Sequence, residues 1–333
     1  MQLQRAACHA ARLHSSDDPL SVTSTAKHRN GLLLAALAAT LFSAKALLAK
    51  FLYRHGIDAI TLMAFRMLFS LPVFVVVAIF ETRRAQARGD RLSTRECALI
   101  VLLGTIGYYL SSLLDFWGLQ YIPAALERLI LFLTPTIVLL LSALVLRKRI
   151  STRQWQAMLL SYSGLVLVFW ESLRLRADGL AVGSTLVMAA AICYSIYLIL
   201  SGELVTRVGS LRLVAYAMCV STVITLAHYI AIYPLSGLIQ PTAVYGLSAA
   251  NALFCTVLPV FLTMFAISRI GAAATAQLSV IGPVSLVFLG WWLLGESVSA
   301  LQMLGTAVVI AGVLVVLRAN ALGVAQKPPA APD

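Results

Sequence analysis

The sequence predicts an all-α integral membrane protein whose ten transmembrane helices form two inverted five-helix repeats. Three observations carry that prediction. Charged residues make up only 11% of the chain against 60% hydrophobic ones, with a mean hydropathy of +0.91, whereas soluble domains carry about 25% charge. Apolar runs of about 20 residues, enough for a bilayer core of roughly 30 Å, recur ten times. The chain also matches itself at an offset of 148 residues.

The elements follow in order. Residues 1–30 contain Arg5, Arg12, Lys27 and Arg29 but no continuous apolar stretch, which argues against a cleaved secretory signal and predicts a disordered cytoplasmic tail. The first repeat, 31–173, places spans at 31–53, 58–80, 97–117, 123–146 and 154–173; its longest connection, ETRRAQARGDRLSTRE, is a basic loop. A short connecting loop, 174–178, leads to the second repeat, 179–318, with spans at 179–201, 211–234, 243–267, 273–294 and 300–318. Residues 319–333 form a second cytoplasmic tail, and its end, QKPPAAPD, has the composition of a disordered segment.

Basic residues fix the orientation. With both termini in the cytoplasm of a cell-membrane protein, 18 of the 25 Lys and Arg residues fall on the inside: the first tail, the loop at 83–95, the cluster at 147–153, Arg207, Arg212, Arg269, Arg318 and Lys327. Lys50, Arg54, Arg174 and Arg176 remain outside, and Lys45, Arg66 and Arg128 lie within spans. Such asymmetry is the signature of cytoplasmic loops. The net charge of +12 therefore reports topology rather than nucleic-acid binding.

The offset of 148 lays 110–168 on 258–316 without a gap, with 12 of 59 positions identical. The matched residues carry more weight than their number: Pro135 meets Pro283, Ser151 meets Ser299, Gln154 meets Gln302 and Gly164 meets Gly312. The first spans align nearer an offset of 152, with Gly31 on Gly183 and Ser43 on Ser195. Because five spans are an odd number, tandem copies must sit upside down relative to each other. Inverted repeats enclosing a midplane site are the architecture of alternating-access carriers.

Within the spans, charges single out a candidate pathway, since an ionised group at the helix centre costs about 3 kcal/mol even on insertion scales. Lys45, Arg66, Asp115, Glu127 and Arg128 all fall in the outer half of the first repeat, close enough in depth to pair. Their counterparts in the second repeat are neutral, among them Thr263 for Asp115 and Thr275 for Glu127. Helical spacing adds Thr134 on the face of Glu127, its counterparts Thr275 and Ser279 with Gly282, and the stripe Tyr194, Tyr197. Glu127 and Arg128, adjacent in sequence, point about 100° apart, so one faces the pathway while the other pairs with a neighbour or reaches for the surface. Lys45 and Arg66 would attract an anionic group, with Lys45 the deepest. Pro135 and Pro283 are kinks or hinges. The competing reading is that the charges close into salt bridges that fix packing, and that the Thr and Tyr stripes are helix-packing contacts.

Enzyme motifs are absent: no HExxH, no GxSxG and no glycine-rich phosphate loop. The five cysteines lack metal or redox spacing. No cofactor, no metal and no catalytic residue is expected. The expected partners are a small-molecule substrate and the lipid bilayer, with no nucleic acid, and nothing in the sequence sets an oligomeric state.

The segment GLQYIPAALERLILFLTPTIVLLLSALVLRKRIS, matched by AISRIGAAATAQLSVIGPVSLVFLGWWLLGESVSALQMLGTAVVIAGV, resembles EamA-type transporters of the drug/metabolite transporter superfamily over about residues 31–318. The second copy is the more typical, with LLGES supplying the usual Glu at Glu296, where the first copy has Lys148. Lys50 and Arg66 fall where the family carries a basic residue ending the first span and an arginine in the second. The resemblance implies a cytoplasmic-membrane secondary carrier, often an exporter of amino acids or other small metabolites. The expected function is therefore alternating-access movement of an amino acid or organic anion. A non-transporting membrane sensor or scaffold, or a channel, is the alternative.

Overall fold

The structure is a computed structural model that describes residues 19–145, 150–174, 178–278, 281–295 and 298–325. These residues form helices throughout: α1 Pro19–Arg54, α2 Ala59–Ala87, α3 Thr94–Leu119, α4 Ala124–Phe132 continuing as Thr134–Val145, α5 Thr152–Arg174, α6 Leu180–Val208 and α7 Ser210–Ile232. After a 3₁₀ turn at Leu235–Leu238 come α8, built from Thr242–Ala252 and Leu258–Leu278 joined through Leu253–Val257, then α9 Ile281–Leu289 and α10 Ala300–Ala325. Among the described residues, seven helices are long and apolar enough to cross a membrane, and Ile281–Leu293 and Ala300–Val315 are shorter apolar helices.

Local chemistry starts these helices. The Asp58 carboxylate accepts from the Ile60 and Thr61 amides at 3.0 and 3.3 Å, capping α2. Ser93 and Glu96 close a reciprocal capping box on α3. The matched Ser and Gln residues have the same task in both halves. The Ser151 amide donates to Gln154 Oε1 at 2.8 Å, the Gln154 amide donates back to Ser151 Oγ at 3.3 Å, and the Gln302 amide donates to Ser299 Oγ at 3.1 Å. These pairs cap α5 and α10.

The halves interleave. The main packing pairs α5 with α10 and α2 with α7, α3 with α6 and α8 with α1, α3 with α7 and α8 with α2, α4 with α6 and α9 with α1, and α4 with α9. Exchanging each helix for its counterpart five places along leaves this pattern unchanged. Glycines mark the close approaches. A Cβ on Gly31 would come 2.5 Å from the Ile270 side chain, and one on Gly183 would come 2.7 Å from Ile122. Gly31 and Gly183 are repeat partners, as are Ile270 and Ile122. At the α5–α10 contact, a Cβ on Gly164 would lie 2.7 Å from the Gly305 carbonyl, and one on Gly312 would lie 2.6 Å from the Ser161 amide. Backbone approach of this kind is how small residues hold membrane helices together. The π-helical turns also correspond: Gly104–Leu110 in α3 maps at the offset of 148 onto the α8 turn Leu253–Val257.

Three expectations change. The segment expected to be disordered up to residue 30 is helical over its described part, from Pro19 on; residues 1–18 lie outside the described residues. The break expected at 268–272 is absent, because α8 runs on to Leu278. Its sequence there, GAAATAQL, is rich in helix-forming alanine, and one Gly costs only about 1 kcal/mol. At the chain's end, α10 extends to Ala325, into the segment taken as a tail. Ser279, Lys148, Glu296 and the QKPPAAPD end lie outside the described residues.

Candidate functional site

The five intramembrane charges converge from α1, α2, α3 and α4. Lys45 Nζ donates to Asp115 Oδ2 and stands 3.6 Å from Glu127 Oε1. Asp115 is buried near the end of α3. Glu127 is fully buried in the first turn of α4, where the positive end of the helix dipole favours a carboxylate. Glu127 and Arg128 diverge as their spacing requires: Glu127 faces Lys45, whereas Arg128 Nη2 lies 3.1 Å from where a Gly282 Cβ would be. That same Cβ would meet Ser43 Oγ at 2.6 Å. Gly282 therefore leaves on α9 the room that the Arg128 head and the Ser43 hydroxyl occupy.

Arg66 reaches the cluster from α2. Its Nη2 donates to Ser112 Oγ at 3.0 Å, one turn before Phe116. The Phe116 ring is fully buried and takes two cations, Lys45 Nζ at 5.1 Å and Arg66 Cζ at 5.0 Å from its centroid. Each such contact is worth about 0.5–2 kcal/mol. The Phe116 carbonyl accepts from Tyr53 Oη at 2.6 Å, tying α1 to α3 at the same level.

The cluster is incompletely satisfied. Three cations face two carboxylates, and among the described residues neither Arg66 nor Arg128 has a carboxylate within 4.0 Å. Arg66 Nε, Arg128 Nε, Asp115 Oδ1 and both Glu127 oxygens lack hydrogen-bond partners. An orphaned buried polar group costs about 1–3 kcal/mol, more when charged, so this is an expensive arrangement for packing alone.

The remaining expected residues divide. Tyr194 stacks on Tyr197 with centroids 5.6 Å apart. Tyr197 is committed to α3: its ring covers Gly107, which has no room for a Cβ, and its hydroxyl lies 3.2 Å from that of Tyr108. The Thr134 hydroxyl donates to the Leu131 carbonyl at 2.5 Å. That carbonyl is the one Pro135, lacking an N–H, leaves without a helical donor. Pro135 thus breaks α4 at Leu133, between its two segments. Pro283 lies in α9, close to residues 279–280, which lie outside the described residues. Thr275 lies in the last turns of α8 and has a polar partner.

The sequence reading did not single out Ser112, Phe116, Ser248, Asn251 or Cys255. Asn251 is fully buried on α8 with both amide atoms unpartnered, and Ser248 one turn away has an orphaned hydroxyl. Cys255 follows one turn beyond Asn251, in the Leu253–Val257 turn that packs against α1 and α2. A lone Asn inside the apolar run SAANALF is the signal that could have found it. A second ionic level lies at the other end of α3, about 28 Å away at 1.5 Å per residue. There Arg207 Nε meets Glu96 at 2.7 Å and Arg212 Nη1 meets Asp90 at 3.4 Å.

Comparison with known proteins adds kinship to this geometry. The EamA-like transporter family profile matches twice, at residues 29–170 and 181–318. The "Uncharacterized transporter YcbK" of Bacillus subtilis (strain 168) is 30% identical over 272 residues, covering 79% of this chain and 85% of that protein. A "Probable terminal-alkyne amino-acid exporter" of Streptantibioticus cattleyicolor is 27% identical over 239 residues, covering 68% of this chain and 75% of that protein. One crystal structure shares the fold at a TM-score of 0.59 with 19% identity, covering 88% of this chain and 98% of that one.

Proposed function

This chain belongs to the EamA-like transporter family, a branch of the drug/metabolite transporter superfamily, and from that premise we propose that it is a secondary carrier of a small polar metabolite. It is a multi-pass membrane transporter, not an enzyme. In our reading its two five-helix halves are mounted upside down relative to each other in the cytoplasmic membrane, with both termini inside. They rock about the seam between them so that a central site faces each side in turn. The solute is an amino acid or an organic anion, and the direction is outward. The similarity to an amino-acid exporter supports both points.

The observation that carries the reading is the under-satisfied charge cluster at the seam. Charges from α1 to α4 meet α9 there, in a bilayer that would otherwise exclude them. A cluster serving only to pack helices would satisfy its own hydrogen bonds; one that must release and admit a polar solute keeps some unfilled. The residues assigned to the pathway are Lys45, Arg66, Asp115, Glu127, Arg128 and Tyr194. Thr134, Tyr197, Thr275 and Ser279 are assigned to the walls, and Pro135 and Pro283 to the joints. The test is flux of a mixed pool of metabolites into proteoliposomes. The expected result is saturable movement of a subset of solutes, reduced at least tenfold by Lys45→Ala and by Glu127→Gln. Movement no greater than in empty liposomes overturns the carrier reading. Unchanged flux in both variants, with lowered thermal stability, assigns the cluster to packing.

A further inference from the structure

We infer that the crevice at the inner end of the α2–α7 seam binds an anionic phospholipid of the cytoplasmic leaflet, its phosphate on the Arg83 guanidinium and an acyl chain against Val75 and Ile79. The site stands apart from the charge cluster, and the inference takes from the carrier reading only the orientation that puts this end inside. The crevice is about 450 Å³ in volume and lies between α2 and α7. Its α2 residues, at positions 75, 78, 79, 82, 83 and 86, follow the i, i+3, i+4 spacing of one helix face. That face changes character along its length. Val75, Ala78 and Ile79, with Cys219 of α7, are apolar, whereas Thr82, Arg83 and Gln86, with Tyr216 of α7, are polar.

Position and charge favour a lipid over a soluble anion. Val75 is 37% and Ile79 47% exposed, and both fall inside the apolar run 58–80, so these walls meet hydrocarbon. Arg83 stands just past that run, about 6 Å beyond Ile79 at 1.5 Å per residue, at the level of the head groups. It has no carboxylate within 4.0 Å among the described residues, whereas its neighbour Arg84 meets Glu81 at 3.4 Å, and Arg207 and Arg212 meet Glu96 and Asp90. A guanidinium presents a planar fork of donors that matches a phosphate. Basic pockets between membrane helices on the cytoplasmic side are where anionic head groups bind. A soluble anion would gain nothing from the apolar half of the crevice.

The repeat separates this site from helix packing. Near the offset of 152, Arg83 and Gln86 correspond to Leu235 and Leu238, so the five-helix unit does not need a basic residue here. The crevice also adjoins the second ionic level. The Tyr216 hydroxyl hydrogen-bonds to that of Thr82 and accepts from Arg212 Nε at 3.2 Å, and Arg212 is the residue that meets Asp90. A lipid seated there touches both repeats and braces α2 against α7.

The test uses the full chain, purified in detergent and stripped of lipid. The probes are phosphatidylglycerol and phosphatidylcholine with matched acyl chains, and glycerol 3-phosphate as the anion without a chain. Lipid retained in native mass spectra and the rise in melting temperature are both measured. Phosphatidylglycerol is expected to be retained and to stabilise. Phosphatidylcholine should bind about fivefold more weakly, the worth of one arginine beside a charged leaflet, and glycerol 3-phosphate more weakly still. Arg83→Gln should erase the preference for phosphatidylglycerol and Arg83→Lys should keep part of it. Arg84→Gln removes the same charge one residue away and should keep the preference whole. Both arginines are exposed, so these variants fold as the parent does. Ile79→Trp fills the apolar half and should weaken both lipids alike. Equal binding of the two lipids by the parent, or equal losses from Arg84→Gln and Arg83→Gln, overturns this inference. So does glycerol 3-phosphate matching phosphatidylglycerol, or lipid retention unaltered by Ile79→Trp. The carrier reading is tested separately, by the mixed-pool flux.

Discussion

Lys45 is held by two carboxylates, and that geometry decides what its removal would do. Lys45→Met leaves Asp115 and Glu127 close together, buried, and without their shared cation. Breaking a buried ion pair from one side costs about 3–5 kcal/mol. The variant should therefore melt well below the parent in detergent, and adding Asp115→Asn should recover at least half of the loss. A melting temperature unchanged by Lys45→Met would mean that the ammonium contributes no net stabilisation. At this scale the sequence reading placed five charges at one depth, which follows from helical rise alone. It assigned anion attraction to Lys45 with Arg66; the folded chain pairs Lys45 with Asp115 and leaves both Arg66 and Arg128 without a carboxylate within 4.0 Å among the described residues. Partner choice depends on which helices touch, and no local rule encodes that.

The helix α4 shows how a break is managed within an element. Pro135 removes the donor that Leu131 expects, and Thr134 supplies a hydroxyl in its place at 2.5 Å. Thr134→Val should then cost about 1 kcal/mol in the parent. It should cost much less beside Pro135→Ala, whose restored N–H reaches the same carbonyl. Equal costs in the two backgrounds, measured by thermal unfolding, would sink this account. Pro283, its repeat partner, lies in α9 beside residues 279–280, which lie outside the described residues. The proline at 135 is thus legible in sequence as punctuation, while the hydroxyl that answers the freed carbonyl follows from its neighbour Thr134. The matched Ser and Gln pairs are simpler: each caps a helix in its own half, a local device visible from spacing alone.

At the scale of the whole molecule, the interleaved halves make their shared seam part of the core. Gly164 and Gly312, repeat partners, allow α5 and α10 to meet backbone to backbone. Gly312→Ala would place a methyl within 2.6 Å of the Ser161 amide and 2.7 Å of the Ala157 carbonyl, atoms that yield only if a helix moves. Overpacking of this kind costs about 1–3 kcal/mol. Gly164→Ala should cost as much, and both should lower the melting temperature without altering solute preference, because the contact lies apart from the charge cluster. A change in preference would mean that this contact reaches the site.

The sequence by itself determined the membrane setting, the helical class, the doubled organisation and the five charges that do not belong in lipid. Each of these follows from composition, from the length of apolar runs or from a repeat offset, which are properties of the chain read locally. Tertiary structure alone decided that Lys45 is paired while Arg66 and Arg128 have no carboxylate within 4.0 Å among the described residues, and that Gly282 in the other half leaves room for Arg128. Those facts join residues on different helices and, for Gly282 and Arg128, residues about 150 positions apart. Their energies arise only when packing brings the groups together out of water.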